Sequence, residues 1–215
     1  MSRRAISVVM VLLTALQLSA TTIKELWIAA PDTLFPYLDQ AKRSELVDFW
    51  EMKQKGQSPE TNGVGGLKVE TKNKLDGVST LDTLTSNFMQ VGLNKSTRVQ
   101  MKLVEENGDT LICMVKTISL PEGDSEVAFY DKGWNLKRSA ILNWHNYLKK
   151  PEAMSEEIFK NEVQAIRLAF VKASINADDN WMDVTLGIPL QPKEMKPELK
   201  AIMQTNVKID ISSVK

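Results

Sequence analysis

Asn107-Gly108 stands between two runs of alternating apolar and polar residues that together span Thr97 to Leu120. A two-residue type I′ turn needs positive φ at both central positions, and asparagine followed by glycine meets that need at the least steric cost. The dipeptide predicts a β-hairpin and fixes its register: Glu106 faces Asp109, Leu103 faces Ile112, Met101 faces Met114 and Val99 faces Lys116. This is the predicted core face. The other face pairs Val104 with Leu111, Lys102 with Cys113 and Gln100 with Val115, a mixed surface expected to be half covered at best. Strand patterns at Leu84 to Leu93 and Glu126 to Tyr130 extend the hairpin to a four-stranded antiparallel meander.

Before the meander, Thr21 to Ala30 is a short extended or helical lead carrying Ile23, Leu26 and Trp27. Pro31 breaks it, and Asp32 is placed as the N-cap of the next turn. Leu34, Phe35 and Leu38 surround Pro36 in a broken turn, and Leu46, Phe49 and Trp50 then recur at helical spacing until Gly56. Gln57 to Gly66 is a loop by its Ser, Pro, Asn and Gly content. After the meander come a helix near Ser155 to Glu162, strands at Ala165 to Ile175 and Trp181 to Ile188, a Pro-bounded helix near Lys193 to Met203 and a strand at Val207 to Ile211. The expected class is α+β, with antiparallel meander sheets and helices on one face. A helix followed by strands, met twice, suggests two similar units, residues 21–150 and 151–215, with the second packed on the first. No sequence repeat proves a duplication.

Residues 1–20 read as a secretory signal peptide: Ser2-Arg3-Arg4, an apolar run from Ala5 to Leu18, then Ser19-Ala20. The apolar run is too short to span a bilayer, no charged stop-transfer boundary succeeds it, and no Cys adjoins the cut expected after Ala20. No stable membrane span is expected after cleavage. Loss of Arg3 and Arg4 leaves 25 basic groups against 27 acidic ones, a formal charge of −2, which does not favour a nucleic-acid partner. A single Cys113 in an exported chain makes no internal disulfide.

Most catalytic templates lack their parts. His145 is the sole histidine, so no two-histidine zinc site can be built, and no Gly-x-Ser-x-Gly elbow supplies a nucleophile. Its aromatic neighbours Trp144 and Tyr147 point to a packed amphipathic turn instead. Cys113 opposite Lys102 reads as a small buried hydrophobe rather than an activated thiol. Asn62 to Lys68 lacks the Gly-Lys-Ser/Thr ending of a phosphate loop. Asp178-Asp179-Asn180 with Asp183 offers oxygen ligands without calcium-loop spacing, and a plain turn is expected there. The five tryptophans are scattered, and most are expected in the core. No catalytic residue, metal ligand or cofactor site is assigned.

The segments Thr22 to Trp27, Pro31-Asp32-Thr33-Leu34-Phe35-Pro36-Tyr37-Leu38, Arg43 and Asp48-Phe49, with Asp109 to Val115 and Asp124 to Trp134, resemble an uncharacterised family of exported Bacteroidales proteins, domain of unknown function 3256. The resemblance covers nearly all of the mature chain. It implies export from a Gram-negative cell, to the periplasm or outer surface, and carries no activity or catalytic residues. The resulting expectation is a non-enzymatic envelope protein that contacts a protein or glycan. Candidate interaction residues are Asp32, Phe35 and Tyr37 in the proline box and Gln100, Lys102 and Val115 on the mixed sheet face. The architectural reading of the box is the favoured one, Pro36 and the apolar residues fixing how the first helix enters the core. The rival readings are a glycan hydrolase using carboxylates alone and an inhibitor or assembly factor of helix-plus-meander build.

Overall fold

The computed structural model describes residues 21–56, 68–119, 122–191, 193–204 and 206–214. The signal-peptide segment and the loop at Gln57 to Gly66 lie outside the described residues. Helix α1, Ile23–Ala29, starts at a capping box: the Thr22 hydroxyl accepts from the Glu25 N–H at 3.3 Å, and the Glu25 carboxylate accepts from the Thr22 N–H at 2.9 Å. It ends before Pro31. Helix α2, Gln40–Gln54, is capped by Asp39, which accepts from the Lys42 N–H at 3.1 Å. Asp32 is therefore not a cap. Residues 31–38 form successive turns, Leu34 N–H to Pro31 O and Leu38 N–H to Phe35 O, so the helix begins only beyond them.

Seven strands then run in sequence order as one antiparallel sheet: β1 Glu70–Lys72, β2 Val78–Leu84, β3 Phe88–Gly92, β4 Thr97–Glu106, β5 Asp109–Ile118, β6 Asp124–Tyr130 and β7 Leu136–Ala140. The β4–β5 hairpin has the register that Asn107-Gly108 dictates, from Glu106 opposite Asp109 to Thr97 opposite Ile118. Both turn residues have positive φ, 52° and 85°. The meander is longer than the four strands expected. Leu84 to Leu93 is divided between β2 and β3 by a turn at Thr85–Asn87, and β1 and β7 are short strands without apolar alternation.

Beyond a short 3-10 turn at Trp144–Tyr147, α3 (Glu156–Ala165), β8 (Phe170–Ile175), β9 (Trp181–Gly187), α4 (Pro197–Ile202) and β10 (Val207–Asp210) complete the chain. The three strands form a second antiparallel sheet in the order β10-β9-β8. Ser155 caps α3 at the predicted position.

The large sheet is apolar on both faces. Under α1 and α2 lie Met89, Val91, Val99, Met101 and Ile112, packed with Ile23, Trp27 and Leu46. Each such fully buried side chain contributes about 1.5–3 kcal/mol. Against the other face the second sheet packs Val171, Ala173, Ile175, Met182 and Val184 onto Cys113, Val115, Val127 and Phe129. A smaller cluster of Ile188, Leu199 and Ile202 joins α3 and α4 to the end of the second sheet. The face expected to be half open is thus closed, and Gln100, Lys102 and Val115 are buried at 7%, 1% and 1% exposure.

Burial pushes the Cys113 thiol up to about 12, against weaker lowering by Arg138 and Lys102. Only a thiolate attacks disulfide reagents. A chromogenic disulfide reagent at pH 8 is expected to leave the native protein unmodified and to titrate one thiol in denaturant; rapid native labelling would contradict this packing.

Candidate functional site

The proline box is organised by one buried cation. Arg43, on the inner face of α2, is 1% exposed. Its guanidinium donates to the carbonyls of Trp27 at 3.0 Å, Leu38 at 2.6 Å and Ile28 at 3.4 Å, to that of Ala30, and to the Asp32 carboxylate at 2.9 Å. It also lies about 6 Å from the ring centroids of Trp27 and Phe35. The C-terminal turn of α1 and the box are wrapped around this group. Phe35 is core at 2% exposure, Asp32 is an exposed counter-ion, and Tyr37 is 38% exposed while its carbonyl accepts from the Lys74 N–H. The geometry favours the architectural reading of the box.

Gln100 and Lys102 make a second joint. The outward N–H groups of β8, at Val171, Ala173 and Ile175, donate to side chains of the large sheet: Asp124 at 3.2 Å, Ser125 at 2.8 Å and Gln100 at 2.9 Å. Lys102 extends further, its ammonium donating to the carbonyls of Asn176, Ala177 and Asp179 at 2.9, 2.9 and 2.7 Å. Burial lowers its pKa, opposed by the Asp179 and Asp178 carboxylates. The Asp178-Asp179-Asn180 segment is thus a turn whose carbonyls close on a lysine, with Asn176 Oδ1 accepting from the N–H groups of residues 178 and 179. Among the described residues no cluster of three or more His, Cys, Asp or Glu is placed to hold a metal ion. His145 is exposed rather than packed, stacked on Trp144 with Nδ1 3.0 Å from Asn143 Oδ1.

The predicted interaction residues therefore gather at two joints, and the concave surface lies elsewhere. In an up-and-down meander alternate turns fall at the same end, which brings the β2–β3, β4–β5 and β6–β7 turns together. The start of α1 is anchored beside them by the Ile23 N–H donating to Ser86 O at 3.0 Å. Three hollows of about 380, 430 and 400 Å³ adjoin there. The first and second share Thr22 and Ser86 in their walls, the second and third share Thr110 and Lys132, and the three lie in a row as a segmented furrow. Trp50 walls the first hollow, and Asn180, on the turn that Lys102 clamps, walls the second.

The charges in the furrow are largely self-satisfied. Lys24 pairs with Glu51 at 2.9 Å and Lys137 with Asp131 at 3.0 Å. The hydrogen bond from Lys24 lowers the Glu51 pKa, and donation from the Asn135 backbone, then Lys137, holds Asp131 well below the usual carboxylate range. Asp39, Glu45 and Asp210 are lowered as well. Folded values below unfolded ones contribute stability above the ordinary 3.8–4.5, lost as pH falls through the lowered values. Melting temperature should therefore hold down to about pH 5 and decline below it, less steeply in high salt. An unchanged melting temperature at pH 3 would contradict these pairings.

The fold and furrow define a two-sheet α+β protein with a surface channel of mixed polar and apolar lining. The profile of one family, described as Protein of unknown function (DUF3256), matches residues 15–209, and the chain belongs to that family. A solved structure, a domain of an uncharacterised protein from Porphyromonas gingivalis W83, superposes with a TM-score of 0.64 over 85% of this chain and 91% of that one. At 15% identity this likeness shows the fold. No curated protein matches the chain. No described helix is long and apolar enough to cross a membrane.

Proposed function

We propose that this is an exported, non-enzymatic binding protein of the periplasm or cell envelope, and that its ligand or partner lies in the furrow at the turn end of the large sheet. The observation that carries the reading is the junction of three hollows across turns from separate strands. A row of adjoining hollows on strand ends suits recognition. Glu51, held low by Lys24, and Asp131, held low by the Asn135 backbone and Lys137, are unsuited to the general-acid role of a glycan hydrolase, which needs a raised pKa.

Two measurements test this. N-terminal sequencing of the protein recovered from the envelope fraction is expected to begin at Thr21; an intact Met1 in the cytoplasm would overturn export. Tagged protein, produced from the full chain, is expected to capture an envelope component saturably, with capture weakened by Lys132→Glu and unaffected by Lys160→Glu, an exposed position on α3, which packs at the opposite end of the second sheet. Equal effects of the two changes would remove the furrow from the proposal.

A further inference from the structure

We infer that the furrow takes an uncharged, hydroxyl-rich chain, a neutral oligosaccharide, with Trp50 as the stacking wall at one end. The inference rests on the binding reading above and names its ligand class. Charge is the first argument. The two ion pairs within the furrow cancel locally, and the remaining Lys55 and Lys132 are balanced by Glu105 and Asp109. Such a lining presents no net field to draw in a polyanion or a cationic peptide. Glu105 is already engaged as acceptor from the Thr110 hydroxyl at 2.8 Å.

Hydrogen-bonding character is the second argument. The groups at the junctions of the hollows are the hydroxyls of Thr22, Ser86 and Thr110, with the Asn180 amide beside them. The Thr22 hydroxyl, an acceptor in the α1 cap, retains its proton to donate, the Thr110 hydroxyl, a donor to Glu105, retains lone pairs to accept, and the Asn180 amide carries both kinds of group, as sugar hydroxyls require of their partners. The half-buried Trp50 adds an apolar ring, matching the C–H face of a pyranose. Length is the third argument: hollows joined end to end fit a chain better than a single small molecule.

A peptide fits less well. Strand addition needs a free sheet edge, helix docking a continuous apolar groove, and phosphopeptide recognition an arginine cluster. The furrow crosses turns at strand ends and is lined by lysines without an arginine.

The test uses the purified protein, produced from the full chain, on an array of neutral and anionic glycans, followed by calorimetry with the best neutral hexasaccharide. Binding of neutral chains is expected, with Kd raised about tenfold in Trp50→Ala, the loss of one aromatic stacking contact. Because Trp50 also packs against the core, the doubly substituted Thr110→Val, Asn180→Ala provides a second probe, expected to weaken binding at unchanged melting temperature. Binding confined to anionic glycans, no binding to any glycan, or neutral binding indifferent to both variants would each overturn the inference. If a protein partner is still captured through the furrow, the binding reading survives and the glycan inference alone falls.

Discussion

Arg43→Met is expected to lower the melting temperature by roughly 10 °C or more, the largest effect of any single polar substitution in this protein. Removing one member of a buried hydrogen-bonded charge network costs about 3–5 kcal/mol, and each kcal/mol shifts a chain of this size by about 2–4 °C. The mechanism is the set of backbone carbonyls at Trp27, Ile28, Ala30 and Leu38, which lose their donor while remaining enclosed. Arg43→Lys should rescue little, since an ammonium has three donors and cannot span that fan of acceptors. Asp32→Asn should cost less than about 1 kcal/mol, because the Asp32 side chain is 55% exposed. Thermal denaturation of the three variants checks the ordering. An Asp32→Asn loss as large as that of Arg43→Met would show that the ion pair, and not the carbonyl fan, holds the box.

Lys102→Met should be the second most damaging change, at about 2–4 kcal/mol. The methionine would fill the volume, yet the carbonyls of Asn176, Ala177 and Asp179 would lose the ammonium that draws them together. The loss should be local first. Amide exchange at residues 176–180 should accelerate well beyond the global change, while β4 and β5 stay protected. Uniform acceleration across both sheets would mean that the lysine supports the whole interface instead. Because Asn180 walls the furrow, the same variant should weaken any ligand held in the middle hollow, with Lys102 acting as a positioning residue.

The parts of the fold legible in the sequence are those whose cause is local. Asn107-Gly108 imposes a turn geometry on its own, so ten residue pairs are set by two residues. The helix expected near Ser155 to Glu162 is also locally determined, Ser155 accepting from the Ile158 N–H at its start. The illegible parts depend on partners far along the chain. Gln100 and Lys102 alternate with apolar neighbours as solvent-facing residues do, and the partners that tie them to the second sheet lie 74 to 77 residues away. Arg43 in a helix rich in Lys and Glu resembles any surface charge; only the carbonyls exposed by the break at Pro31 make it a core residue. The furrow is hidden for a different reason. Its residues share no motif and meet because alternate turns of a meander share one end, so they become visible only with the strand count, which short β1 and β7 conceal.

The side-chain seal along β8 has a consequence for solution behaviour. An edge strand with open N–H groups is a template on which another chain can add. Here Asp124, Ser125 and Gln100 occupy those donors, so the second sheet is closed on that side without a further strand to close it. Changing Gln100 to leucine would leave the Ile175 N–H buried without its acceptor, a loss of stability at the joint between the sheets. Three polar side chains thus do for this margin of β8 what a neighbouring strand would do.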